Sequence, residues 1–139
     1  MLNENVGILE RDGECTSMPA CTLPCLLLKA VETYRKPDAF KFKQDGNWRN
    51  LSHEEFLRYV EELFFALRAL GVMPQDRVAI MSENRVEWAI ADYAALCLGT
   101  STVPIYPTLS PQQIDVLLRD ARPTVVFPAP MNPIRKIGE

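Results

Sequence analysis

A helical stripe stands out along the chain. Phe56, Val60, Leu63, Phe64, Leu67 and Leu70 recur at three- and four-residue steps among charged positions, the pattern of a helix with one buried face. Ser52-His53-Glu54-Glu55 marks its start as a capping box, in which the serine oxygen accepts from the backbone N–H three residues on and the glutamate reaches back. Gly71 stands where a left-handed C-terminal cap belongs, and Pro74 follows it. Upstream, Pro24 suits the first turn of a helix through Leu26, Leu27, Ala30, Val31 and Tyr34, which Lys36-Pro37 stops. Between these helices the period falls to two. Ala39-Phe40-Lys41-Phe42-Lys43 alternates, Asp45-Gly46 supplies a turn, and Asn47-Trp48-Arg49-Asn50-Leu51 returns. The predicted hairpin packs Phe40, Phe42, Trp48 and Leu51 on one face.

From Asp76 onward strands and helices alternate. Arg77-Val78-Ala79-Ile80-Met81 reads as a strand buried on both faces. Ser82-Glu83-Asn84-Arg85 connects it to a helix reaching Leu98, for which Asn84 and Glu87 are the predicted cap. That helix is apolar almost all round, so it is expected to be covered on two sides. Gly99 ends it, and Ser101 to Tyr106 form the next strand. Ser110-Pro111-Gln112-Gln113 opens a further capped helix, closed by Asp120 before Pro123, and Thr124-Val125-Val126-Phe127 is the last strand. The predicted fold class is α/β: a parallel βαβαβ unit with right-handed crossovers, preceded by a helix, a β-hairpin and a capped helix. Residues 1–21 lack sustained periodicity and read as a flexible leader, residues 22–127 as an incomplete domain, and residues 128–139 as a divergent proline-rich tail.

Composition narrows the function classes. With 139 residues, 47% hydrophobic and 24% charged, the chain has the size and balance of one globular domain. Its net charge of −3 leaves no overall basic surplus for nucleic acid or anionic lipid. Cys15, Cys21, Cys25 and Cys97 form no Cys-x-x-Cys pair, and His53 lies far from them in sequence, so no metal site is expected. The acidic start lacks the basic region of a secretory signal, and no apolar run approaches the ~20 residues of a transmembrane helix. The expected compartment is the cytoplasm, with reduced thiols.

Three ordered runs carry a family resemblance: Leu70-Gly71-Val72-Met73-Pro74-Gln75-Asp76-Arg77-Val78-Ala79-Ile80; Ser82-Glu83-Asn84-Arg85-Val86-Glu87-Trp88, with Asp92 and Ala94; and Val103-Pro104-Ile105-Tyr106-Pro107-Thr108-Leu109-Ser110. Trp48 before Leu51-Ser52 and the pair Glu55-Phe56 fit the same pattern. Over residues 22–127 the chain resembles the N-terminal part of adenylate-forming (AMP-binding) acyl-CoA synthetases, most closely the long-chain fatty-acid branch. The resemblance implies the N-terminal subdomain of that fold and a two-step reaction in the full-length family. A carboxylate attacks ATP to give an acyl-adenylate, and coenzyme A then displaces AMP, with Mg2+ accompanying the nucleotide. It also implies that the phosphate loop, the adenine-contacting segment, the ribose-binding aspartate and the catalytic lysine lie beyond the segment matched. Gln75 stands where the family usually has glycine, which predicts strain if the turn needs positive φ there.

No catalytic, cofactor-binding or metal-ligating residue is therefore expected here. Gly99-Thr100-Ser101-Thr102 imitates a phosphate loop in composition, but it joins a helix to a strand and reads as a helix cap. Glu83 and Arg85 follow a strand's carboxyl end, where open α/β sheets bind ligands; surface pairing is the expected role. Tyr106 leaves the next strand at the same edge, and packing under the following helix is expected. Trp48 and Trp88 read as core or subdomain-interface residues, and His53 as a surface residue. The leading functional expectation is a truncated N-terminal fragment of a long-chain fatty acid–CoA ligase, inactive alone. The alternatives are one piece of a split synthetase, completed by a separate remainder, or a non-catalytic interaction module that associates with itself or a partner.

Overall fold

The computed structural model describes residues 22–44 and 46–128; Asp45, the expected leader and the tail after Pro128 lie outside the described residues. The elements run α1 (Leu23–Tyr34), β1 (Phe40–Gln44), β2 (Asn47–Leu51), α2 (His53–Ala69), β3 (Arg77–Met81), α3 (Val86–Cys97), β4 (Ser101–Ile105), α4 (Pro111–Ala121) and β5 (Val125–Phe127). This is the α/β arrangement expected: a parallel βαβαβ unit after a helix, a hairpin and a capped helix.

Local chemistry sets the helix ends. In α2 both arms of the capping box form: Glu55 N–H donates to Ser52 Oγ at 3.1 Å, and Ser52 N–H donates to Glu55 Oε2 at 2.9 Å. At the far end Gly71 N–H donates to the Arg68 carbonyl and Val72 N–H to the Leu67 carbonyl, with Gly71 at φ +85°. This Schellman arrangement brings buried Val72 back beside buried Leu67. Leu70, on the stripe in sequence, is the cap just past the last helical residue and is 70% exposed, so it does not join the core.

The hairpin joins the helices through Phe40, whose ring stacks on Phe56 at 4.3 Å between centroids. Phe56 is fully buried and meets the edge of Tyr93 from α3 at 5.9 Å. One aromatic contact line thus ties β1, α2 and α3. Trp48 departs from expectation. The register pairs Phe40 with Leu51, Phe42 with Arg49 and Lys43 with Trp48. Strand parity puts residues 48 and 51 on opposite faces, so Leu51 is buried while Trp48 is 68% exposed.

Strands β3, β4 and β5 form a parallel sheet in the order β4-β3-β5. Central β3 buries Val78, Ala79 and Ile80 completely, the two-sided burial its sequence predicts. The step from β3 to β4 and the step from β4 to β5 run in opposite directions across the sheet. With crossovers of one hand, α3 and α4 then fall on opposite faces. Helix α3 packs against α1 and α2, whereas α4 touches β4. The second cover expected for α3 is thus the α1–α2 pair, and Ile90, Ala91, Ala94 and Ala95 are buried. Helix α4 buries no residue fully, and Val116 is 64% exposed. It runs one residue past Asp120, ending at Ala121 with Arg122 left-handed at φ +47°. Edge strand β4 carries Pro104, which lies opposite Ile80 in the register.

Candidate functional site

The carboxyl ends of β3 and β4 lie side by side, with Met81 opposite Ile105. Their connections leave for opposite faces of the sheet, which makes this edge the topological switch point where open α/β folds place ligands. Ser82 to Arg85 leave from one strand and Tyr106 to Thr108 from the other. The structure therefore brings together the two segments singled out in the sequence. Tyr106 does not pack under α4; it is 74% exposed, and the half-buried large apolar side chains of α4 are Ile114 and Leu118. Ser82 Oγ donates to the Glu83 carbonyl at 3.2 Å, and the Glu83 side chain is exposed.

The predicted Asn84 cap does not form. Arg85 occupies the N-cap position of α3 in extended backbone (φ −144°), with no side-chain cap, and Asn84 sits one residue too early. The Arg85 guanidinium instead donates to Glu87 Oε1 at 3.3 Å, the surface pairing expected of it. Trp88 is half-buried against the core. Beside this helix start, a groove of about 450 Å³ runs between the hairpin, α2 and α3, lined by Lys43, Arg49, Arg85, Glu55, Glu87 and Asn84 among others. Its acids are engaged. Glu87 holds Arg85, and Glu55 accepts from Ser52 N–H and Oγ, which lowers its pKa below the usual glutamate value.

His53 has a role that no local pattern announces. Its Nδ1 accepts from the Lys36 N–H at 3.3 Å, and its own N–H donates to the Lys36 carbonyl at 3.0 Å. It is half-buried rather than free on the surface, and it fastens the α1–β1 connection to the start of α2. The partner lies 17 residues away, so only tertiary structure reveals it.

The segment imitating a phosphate loop caps α3. Gly99 N–H donates to the Leu96 carbonyl, Thr100 N–H to the Ala95 carbonyl, and Thr100 Oγ1 to the same Ala95 oxygen at 2.8 Å. Those donors are committed to the helix, so the segment does not fit a triphosphate. Among the described residues no group of three or more His, Cys, Asp or Glu is placed to hold a metal ion. Burial, with Glu61 nearby, raises the Cys97 thiol pKa, which disfavours the reactive thiolate. Cys15 and Cys21 lie outside the described residues. Next to the α3 cap, Gln75 has φ +73°, so the condition under which this position carries strain is met.

The fold and its motifs define a class: the chain belongs to the AMP-binding enzyme family, whose pattern matches residues 29–137. Among characterised relatives, a long-chain-fatty-acid–CoA ligase of Mycobacterium bovis is 41% identical over 83 residues, covering 60% of this chain and 14% of that protein. A long-chain-fatty-acid–CoA ligase of Rattus norvegicus is 24% identical over 123 residues, covering 88% of this chain and 17% of the relative. The N-terminal subdomain of NpsA from Klebsiella oxytoca superposes with a TM-score of 0.71 at 20% identity, over 81% of this chain and 28% of the other. A fatty acid AMP ligase from Legionella pneumophila gives a TM-score of 0.68 at 18% identity, over 76% of this chain and 19% of the other. The chain thus spans a small fraction of the length of the proteins it matches. No helix among the described residues is long and apolar enough to cross a membrane.

Proposed function

We propose that this chain is the N-terminal portion of a long-chain fatty acid–CoA ligase, shaping part of the sheet scaffold for ATP-dependent acyl-adenylate and acyl-CoA formation without supplying the reacting groups. The observation that carries this reading is the 83-residue stretch 41% identical to a long-chain-fatty-acid–CoA ligase, on a backbone matching the adenylate-forming fold. ATP, Mg2+ and coenzyme A would be held by the remainder of such an enzyme, because the one phosphate-loop imitation here is consumed as a helix cap. The compartment proposed is the cytoplasm.

The test is fatty-acid-dependent ATP–pyrophosphate exchange. The chain alone is expected to give none. Co-expressed with the remainder of a long-chain relative, beginning after the strand equivalent to β5, it is expected to restore exchange with long-chain fatty acids in preference to aryl acids. Turnover by the chain alone, or a restored preference for aryl acids, would overturn the proposal.

A further inference from the structure

Net charge argues against anionic partners, but that charge is unevenly placed. Residues 34–50 hold Arg35, Lys36, Lys41, Lys43 and Arg49 against Asp38 and Asp45, a net +3, while the rest of the chain carries −6. The hairpin gives this segment a defined face. Phe40, Phe42 and Leu51 point to the core side, so Lys41, Lys43, Trp48 and Asn50 share the opposite side, with Lys43 directly across from Trp48. Lys43 Nζ stands 5.5 Å from the centre of the Trp48 ring. Close to the root of the hairpin the pairing recurs: Tyr34 is 59% exposed, with Lys36 Nζ 5.8 Å from its ring centre. Lys41 is partly offset by Asp38 at 3.0 Å, and Lys43 makes no ion pair among the described residues.

We propose that the outward face of the β1–β2 hairpin, built on Trp48, Lys43 and Lys41, is a docking surface for an anionic lipid bilayer. Exposed amphipathic rings settle at headgroup depth, and long lysine side chains reach from the same depth to lipid phosphates. Basic residues next to such a surface each strengthen attachment through its negative potential. A single-stranded nucleic acid fits this face less well, since such sites stack successive bases on several rings along the strand, and the hairpin face carries the single ring of Trp48. The docking surface is independent of the ligase reading, because it uses none of the residues at the β3–β4 edge.

The test is co-sedimentation of the whole chain with phosphatidylcholine vesicles, with and without phosphatidylglycerol, read together with tryptophan emission. Binding is expected only with phosphatidylglycerol, accompanied by a blue shift, and is expected to weaken as salt rises. Lys43→Gln should weaken binding about fivefold. Trp48→Ala should remove the blue shift, and Arg119→Gln on α4 should change nothing. Both hairpin positions are exposed, so the variants should keep the parent circular dichroism spectrum. Absence of binding, equal binding to both vesicle types, indifference to Lys43→Gln, or binding of a single-stranded oligonucleotide without vesicle binding would each overturn the proposal.

Discussion

Met73-Pro74-Gln75-Asp76 forms a tight turn closed by the Asp76 N–H to the Met73 carbonyl at 3.1 Å, with Gln75 at φ +73°. Proline at the second position and positive φ at the third is the type II pattern, which favours glycine at the third. An L-residue held left-handed costs about 1–2 kcal/mol. Gln75→Gly removes that strain, while the freer unfolded chain takes back about 0.4–1 kcal/mol. The exposed side chain adds no packing, and the Gln75 N–H bond to the Gly99 carbonyl at 2.9 Å survives in glycine. A net gain of about 0.5–1 kcal/mol follows, or about 2–8 °C in Tm for a domain of this size. Urea titration should show a higher midpoint at unchanged slope. Gln75→Ala keeps the strained Cβ and should stay with the parent. A glycine variant no more stable than the alanine variant would refute the strain argument.

Three other perturbations test the packing and caps. Gly99→Ala should destabilise by about 0.5–1 kcal/mol in the same titration, the left-handed strain less the stiffening of the unfolded chain; Gly99 is at φ +73° and its added Cβ meets Pro74 Cβ at an ordinary 3.7 Å, so no clash adds to it. Phe56→Ala should cost about 3–5 kcal/mol and abolish the folded baseline in mild urea, since Phe56 is fully buried between Phe40 and Tyr93. The hydrogen bonds from Ser52 hold the Glu55 carboxyl below the ordinary glutamate pKa, so its contribution is fully present above that ordinary value and is lost as pH falls through the lower folded value. Glu55→Gln keeps a side chain able to close the capping box, and circular dichroism should show that this acid-dependent loss of stability is reduced in the variant.

How much the sequence reveals depends on how local each determinant is. Helix α2 is written in neighbouring residues, from the Ser52–Glu55 box to Gly71, and the structure reproduces it nearly residue by residue. The β3 and β4 strands were equally readable, because their ends are fixed by nearby turns and caps. Trp48 turns on parity: it stands an odd three residues from Leu51 in one strand, so the two cannot share a face, and the register settles which side is buried. The start of α3 is not legible locally, because asparagine is a good cap in general, whereas here the extended residue is Arg85. Tyr106 and His53 are decided by distant contacts, or by their absence, and no short window of sequence contains them. At the candidate site, the two segments were visible as strand exits, but their adjacency became visible only with the order β4-β3-β5.

The proline in β4 gives the sheet a direction of growth. Pro104 sits within an edge strand and has no N–H to donate. A strand approaching that edge would meet a gap in the row of donors it needs, which guards β4 against chance pairing with another chain. No such interruption occurs in β5, whose three residues Val125, Val126 and Phe127 all carry N–H groups. Among the described strands, β5 therefore offers a further strand the edge without a missing donor. Among the described residues the sheet is centred on β3, interrupted in its donors at β4, and uninterrupted at β5.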